Sequence, residues 1–103
     1  MIARTVTMQL KPNTRLEFTK ALEAKVLPLL RKQQGFKDEL MFVVPDGKQA
    51  LGISLWDTQE HAEMYARTAY PEVLKTLQSY VEGTPLVSNY EVAAIGDKMV
   101  TNK

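Results

Sequence analysis

A chain of 103 residues has room for one domain with its own core and not for two. Hydrophobic residues at 45% and charged residues at 24% are the balance of a soluble globular protein, which sets aside disordered, collagen-like and coiled-coil classes. Thirteen basic against twelve acidic residues leave a net charge of +1 with no clustered basic face, which argues against nucleic acid or an anionic membrane as partner.

The absence of cysteine removes disulfides, thiolate catalysis, iron–sulfur clusters and cysteine zinc sites together. No stretch approaches the ~20 apolar residues of a membrane span. The opening Met1–Thr7 has no basic segment followed by an apolar one, so a cytoplasmic protein is expected.

Residues 2–10 read as a strand, with Arg4, Val6, Met8 and Leu10 on one face and Ala3, Thr5, Thr7 and Gln9 on the other. Lys11–Asn13 breaks it. Thr14 and Glu17 have the spacing of a capping box, and Leu16, Phe18, Ala21, Leu22, Val26, Leu29 and Leu30 then recur at helical spacing. Pro28 lies inside that pattern and cannot donate a hydrogen bond, so a kink or restart is expected there. Gly35 reads as a left-handed cap with Phe36 folding back on the last turn.

A second strand over 36–44 alternates Leu40, Phe42 and Val44 against Met41 and Val43, and Pro45–Lys48 is turn chemistry leading into a third strand, Gln49–Asp57. Ala50, Gly52, Ser54 and Trp56 point one way along that strand, and Leu51, Ile53 and Leu55 the other. Three small residues followed by an indole leave space beside an aromatic wall, while the three aliphatics call for a packed partner. Asp57 and Glu60 form an N-cap and N3 pair for a helix starting at Thr58, whose apolar face carries Ala62, Tyr65, Ala66 and Ala69. Pro71 suits the first turn of a second piece bearing Val73, Leu74, Leu77 and Val81, closed by Gly83. A last strand is expected over 86–94. From Gly96 the chain is polar and unpatterned, and the domain is placed at 1–95 with a tail at 96–103.

This order is βαββαβ, an α+β, ferredoxin-like plan in which an antiparallel four-stranded sheet carries both helices on one face. The strands are apolar on both sides, so a lone copy would expose a patch larger than soluble monomers carry. Face-to-face pairing into a two-fold homodimer resolves this.

The stretches Leu29–Phe36, Ile53–Asp57, Glu60–Ala62, Tyr65, Tyr70–Leu74 and Pro85–Val92 resemble the antibiotic-biosynthesis-monooxygenase-type domain of the dimeric α+β barrel superfamily, across roughly residues 2–95. The resemblance implies a small pocket between sheet and helices and, in the characterised monooxygenases, oxidation of polyphenols by O2 with no cofactor. Trp56 matches a family site position. The asparagine such enzymes carry four residues before the tryptophan is Gly52 here. Haem-degrading relatives need an iron-ligating histidine in the following helix, and Tyr70–Leu74 offers none.

Each candidate has an ordinary alternative. Trp56 either lines the pocket or packs under the following helix. Tyr65 and Tyr70 either orient an aromatic ligand or pack at the domain surface. His61, the only histidine, is a base only if a carboxylate partners it, and neither Glu60 nor Glu63 shares its helix face. Gly52, Ser54, Phe18, Asn89 and Arg4 are candidate binding residues, Arg4 and Asn89 because their terminal strands lie side by side in this plan. Met8, Met41 and Met64 either shape an adaptable pocket or fill core gaps. No His/Asp/Glu cluster has metal-ligand spacing, so no metal and no cofactor are expected. The function expected is cofactor-independent monooxygenation of a small aromatic or polyphenolic substrate; the rival is a non-catalytic dimeric binding or stress-related module whose pocket its own side chains fill.

Overall fold

The computed structural model describes residues 1–96, with 98 and 99 as backbone only. In chain order it contains β1 (Ile2–Leu10), α1 (Arg15–Ala21), a π-helical turn (Leu22–Val26), α2 (Leu27–Arg31), β2 (Phe36–Val43), β3 (Gln49–Trp56), α3 (Gln59–Thr68), α4 (Tyr70–Leu77) and β4 (Val81–Glu91). A two-stranded ribbon pairs β5 (Ala94–Ile95) with β6 (Lys98–Met99). The main sheet is antiparallel throughout, in the order β2-β3-β1-β4, so the fold is the expected ferredoxin-like α+β plan.

Alternation decides which side of the sheet the helices cover. Arg4, Met8 and Leu10 of β1 are buried, as are Ala50, Gly52, Ser54 and Trp56 of β3. Against this face pack Phe18, Leu22, Val26 and Leu30 from the first helical segment and Ala62, Tyr65, Val73 and Leu77 from the second. The other face carries Leu51, Ile53 and Leu55, half-buried, and Leu40, Phe42, Leu86 and Tyr90, exposed. Phe42 is 50% and Leu86 73% accessible, so this face is apolar and uncovered in a single chain. Among the described residues no helix is long and apolar enough to cross a membrane.

Several local expectations are corrected. Thr14 occupies the N-cap position of α1 but makes no side-chain cap; its φ of −109° and ψ of −1° are not the extended geometry a cap requires, and its hydroxyl donates to Lys11 O at 2.7 Å. Leu16 is 62% exposed and stands outside the core. For α3 the cap is Thr58, one residue later than Asp57: its backbone is extended, and its Oγ1 accepts from His61 N at 3.2 Å. The restart expected at Pro28 is present, and it takes a definite form. Leu27 N donates to Leu22 O, five residues back, and Pro28 then sits in the first turn of α2 where its missing N–H costs little.

Gly83 does not close α4, which ends at Leu77, and β4 begins at Val81. Thr7 pairs with Leu86 but Gln9 with Glu82, so β4 carries extra residues there, and Gly83 (φ +67°) and Pro85 occupy that bulge. Residues that usually break structure here bend a continuous strand. The first part of the expected tail enters the β5–β6 ribbon; 97 and 100–103 lie outside the described residues.

Candidate functional site

Strand register brings Arg4, Ser54 and Glu39 into one row on the helix-facing side, since Arg4 pairs with Ser54 and Ser54 with Glu39. The next row is Val6, Gly52 and Met41. Neighbouring strands run about 4.8 Å apart, so the Arg4 and Glu39 backbones stand roughly 10 Å apart with a small serine between. Across that gap they form no ion pair among the described residues. Gly52 makes the closeness possible: a Cβ there would lie 3.0 Å from Met41 Cε and 3.3 Å from Glu39 Oε2. The side chains of β2 therefore fold over the place a larger residue on β3 would fill.

Above this patch lies a cavity between sheet and helices. Arg4, Glu39, Gly52, Ser54, Tyr65 and Tyr70 line its polar end, and Val6, Met8, Met41 and the aliphatics of the π turn, α2 and α4 line the rest. Its room for the centres of water-sized spheres is about 40 Å³, and the whole space between its atoms, part of it open to solvent, is about 430 Å³. On the first measure a water needs roughly 10–15 Å³, so the cavity holds a few waters and an aromatic ligand must widen it.

Arg4 is 5% exposed and stacks over rings rather than pairing with an acid. Its guanidinium carbon is 4.0 Å from the Tyr70 centroid and 5.5 Å from that of Tyr65. Tyr65 in turn stacks on Trp56, centroids 4.8 Å apart and planes 27° apart, and Phe36 meets the indole edge-on at 5.6 Å. Trp56 Nε1 donates to Ser54 Oγ at 2.8 Å, and Ser54 Oγ donates to Arg4 O at 3.5 Å. The row is thus braced from beneath by the indole, which has no exposed surface and is not part of the cavity wall. Tyr65 is the side chain that carries its influence there.

Burial acts on three groups of the cavity, Glu39, Tyr65 and Tyr70. It pushes the Glu39 carboxyl up from 4.5 to about 8, with Asp38 adding to the rise and Arg4 opposing it. Burial also raises the phenols of Tyr65 and Tyr70, again against the pull of Arg4. Both tyrosines are therefore neutral hydrogen-bond donors near pH 7, and the group that changes charge close to neutrality is Glu39.

The remaining predicted positions lie elsewhere. Phe18 is fully buried in the core and Asn89, level with Arg4 on the edge strand, is exposed; neither lines the cavity. His61 sits at the β3–α3 corner, and it does have a carboxylate partner: Asp57, four residues earlier, with Oδ1 2.7 Å from His61 Nδ1. The hydrogen bond from His61 holds the Asp57 carboxyl below its ordinary value. Gly35 closes the corner, accepting from Asp57 N at 2.9 Å, and its φ of +84° and the crowding by Asp57 and His61 admit no side chain. Glu39 is absent from the sequence-based candidates: it shares its face with Met41 and Val43, and β2 is apolar on both faces, so its parity alone does not place it in the cavity. No group of three or more His, Cys, Asp or Glu is placed to hold a metal among the described residues.

No protein-family model and no curated protein matches the chain. Solved structures do. A putative antibiotic biosynthesis monooxygenase from Bordetella bronchiseptica superposes with a TM-score of 0.75 at 14% identity, over 88% of this chain and 95% of that one. The monooxygenase from the gene ActVA-Orf6 of Streptomyces coelicolor, in complex with the ligand nanaomycin D, gives 0.77 at 18% over 94% and 92%. SnoaB, a cofactor-independent oxygenase from Streptomyces nogalater, gives 0.75 at 12% over 94% and 97%. At such identities the likeness establishes the fold, that of antibiotic biosynthesis monooxygenase-type proteins.

Proposed function

We propose that this chain is a cofactor-independent monooxygenase acting on a small, electron-rich aromatic or polyphenolic molecule in the cavity between sheet and helices. The observation that carries the reading is the composition of that cavity: apolar walls, a buried cation with no acid paired to it, and two phenols kept neutral by burial. Such a site favours an anion formed inside it. A substrate that loses a proton there leaves an electron pair that Arg4 and the Tyr65 and Tyr70 hydroxyls stabilise, and O2 is reduced by that anion: SH2 + O2 → S=O + H2O. SnoaB and the ActVA-Orf6 enzyme, described as oxygenases, support this reading through the shared fold.

The apolar sheet face supports a second part of the proposal, a two-fold homodimer with the Leu40, Phe42, Leu86 and Tyr90 surfaces opposed. Sedimentation at micromolar concentration should give twice the 11.6 kDa chain mass, and Phe42→Asp should halve it; a native monomer would remove this part.

The oxygenase reading is tested by oxygen uptake with anthrones, hydroquinones and phenols, where the expected result is one O2 consumed per ketone formed, without added metal or flavin. A specific observation favours the alternative, a non-catalytic binding module: the room inside the cavity is only about 40 Å³, its own side chains taking up the rest. A compound that binds the native state at about 100 times its Kd adds roughly 2.7 kcal/mol of stability. Ligands that raise the melting temperature in that way while no oxygen is consumed would decide for the binding module.

A further inference from the structure

Gly52 leaves a gap in the cavity floor, and two side chains of the neighbouring strand close over it, the thioether end of Met41 and the carboxylate of Glu39. Glu39 Oε2 lies 3.3 Å from the position of an absent Cβ on Gly52, level with Arg4 across Ser54. The same side chain has a second aspect. Together with Leu22 and Met41 it also lines an outer groove of about 340 Å³ whose other walls include Arg15, Thr19 and Glu23. Glu39 therefore borders both the narrow cavity and the roomier groove.

We infer that Glu39 is the proton acceptor of this site, taking the proton from an acidic C–H of an aryl ketone held over Gly52 and Ser54, with Arg4 balancing the charge left on the substrate. The inference rests on the oxygenase reading for its physiological step, although proton abstraction can be tested without oxygen. The Glu39 carboxylate takes the proton, the electron pair stays on the substrate as its enolate, and in the presence of O2 that pair is passed to oxygen. The Glu39 acid then loses its proton to water in the outer groove or returns it to the reduced oxygen. A catalytic base is most effective when its acidity lies near the working pH, and burial brings the carboxyl to about 8. The groups that face it are Asp38 beside it on β2, Arg4 on β1, Tyr65 on α3, and Arg15 and Glu23 at the groove from α1 and the π turn; β3 offers only Gly52 and Ser54.

The test follows two readouts with anthrone as the probe. Under nitrogen in D2O, exchange of its methylene hydrogens is followed by NMR with native protein, Glu39→Gln and Glu39→Asp; in air, oxygen uptake is followed with the same three. The native protein should accelerate exchange with a rate that rises about tenfold per pH unit and levels off near pH 8. Glu39→Gln should lose roughly 100-fold or more and the pH dependence with it, and Glu39→Asp should keep part of both. A thermal melt at pH 6 shows whether each variant is folded. Exchange without oxygen uptake would sink the oxygenase reading and leave the proton acceptor standing. Native exchange no faster than buffer, or a folded Glu39→Gln that exchanges at the native rate and pH profile, would overturn the inference.

Discussion

The corner at Asp57 and the cavity at Glu39 each bring a carboxylate near a nitrogen cation or base, and the fold treats the two in opposite ways. Asp57 lies in the open, touches His61 at 2.7 Å, and has its carboxyl lowered by that hydrogen bond. Glu39 is largely buried, shares a row with Arg4 without touching it, and has its carboxyl raised. Proximity of charges is therefore a poor guide to chemistry. A satisfied surface pair holds a corner together, whereas a carboxyl and a cation kept apart in an apolar cavity hold their reactivity for something that comes between them.

The largest expected effect that sharpens this contrast is on stability against pH. A carboxyl whose folded value lies above its unfolded one stabilises the fold fully below the unfolded value and loses that contribution as pH rises through the folded one. For Glu39 the window is from 4.5 to about 8. Within it the native protein should lose about 1.4 kcal/mol per pH unit from this one group, and Glu39→Gln should remove that slope, ending as the more stable protein at pH 8. Urea melts of both proteins at pH 5, 6.5 and 8 would read this directly; parallel curves would mean that Glu39 ionises as an exposed acid does.

Arg4 comes next. Arg4→Met removes the cation that lowers Glu39, so the midpoint of the exchange profile should move up while the maximal rate falls. Arg4→Lys keeps the charge and loses the planar stack on Tyr70, worth about 0.5–2 kcal/mol, so it should cost roughly tenfold in rate with the midpoint nearly unmoved. A downward shift in Arg4→Met would contradict the placing of these two groups in one field. Gly52→Ala is smaller. Its methyl would meet the flexible end of Met41 first and the Glu39 carboxylate second, so a rate loss of a few fold with stability changed by no more than about 1 kcal/mol is expected.

What could be read from the sequence follows the range of the interaction. The βαββαβ order and the two faces of β3 depend on alternation and local turn chemistry, and the structure places Ala50, Gly52, Ser54 and Trp56 together on the helix side as that alternation requires. Glu39 was not legible because β2 is apolar on both faces, Leu40 and Phe42 against Met41 and Val43, so alternation alone did not say which set faces the helices. A bulge between Phe36 and Asp38 shifts the pairing register just before it as well. The gap between cavity and Trp56 is likewise invisible locally, since it depends on Tyr65 being carried back over the indole by α3.

The smallest effect concerns the corner, and there the sequence reading failed for a reason one residue wide. With Thr58 as the cap, Asp57 falls just before the helix, four residues from His61, where the two side chains meet on one face. The lowered carboxyl fixes the sign of its pH dependence: its stabilisation is present above the ordinary value of 3.8 and is lost as pH falls through the lower folded value. Asp57→Asn should therefore sit slightly below the native protein in stability at neutral pH, and the gap should close on acidification rather than widen. Proton exchange and oxygen uptake should be untouched, because neither Asp57 nor His61 borders the cavity. A folded Asp57→Asn protein with altered exchange kinetics would show that the corner reaches the cavity after all, through the short span from Asp57 to Trp56 and the Tyr65 ring stacked on it.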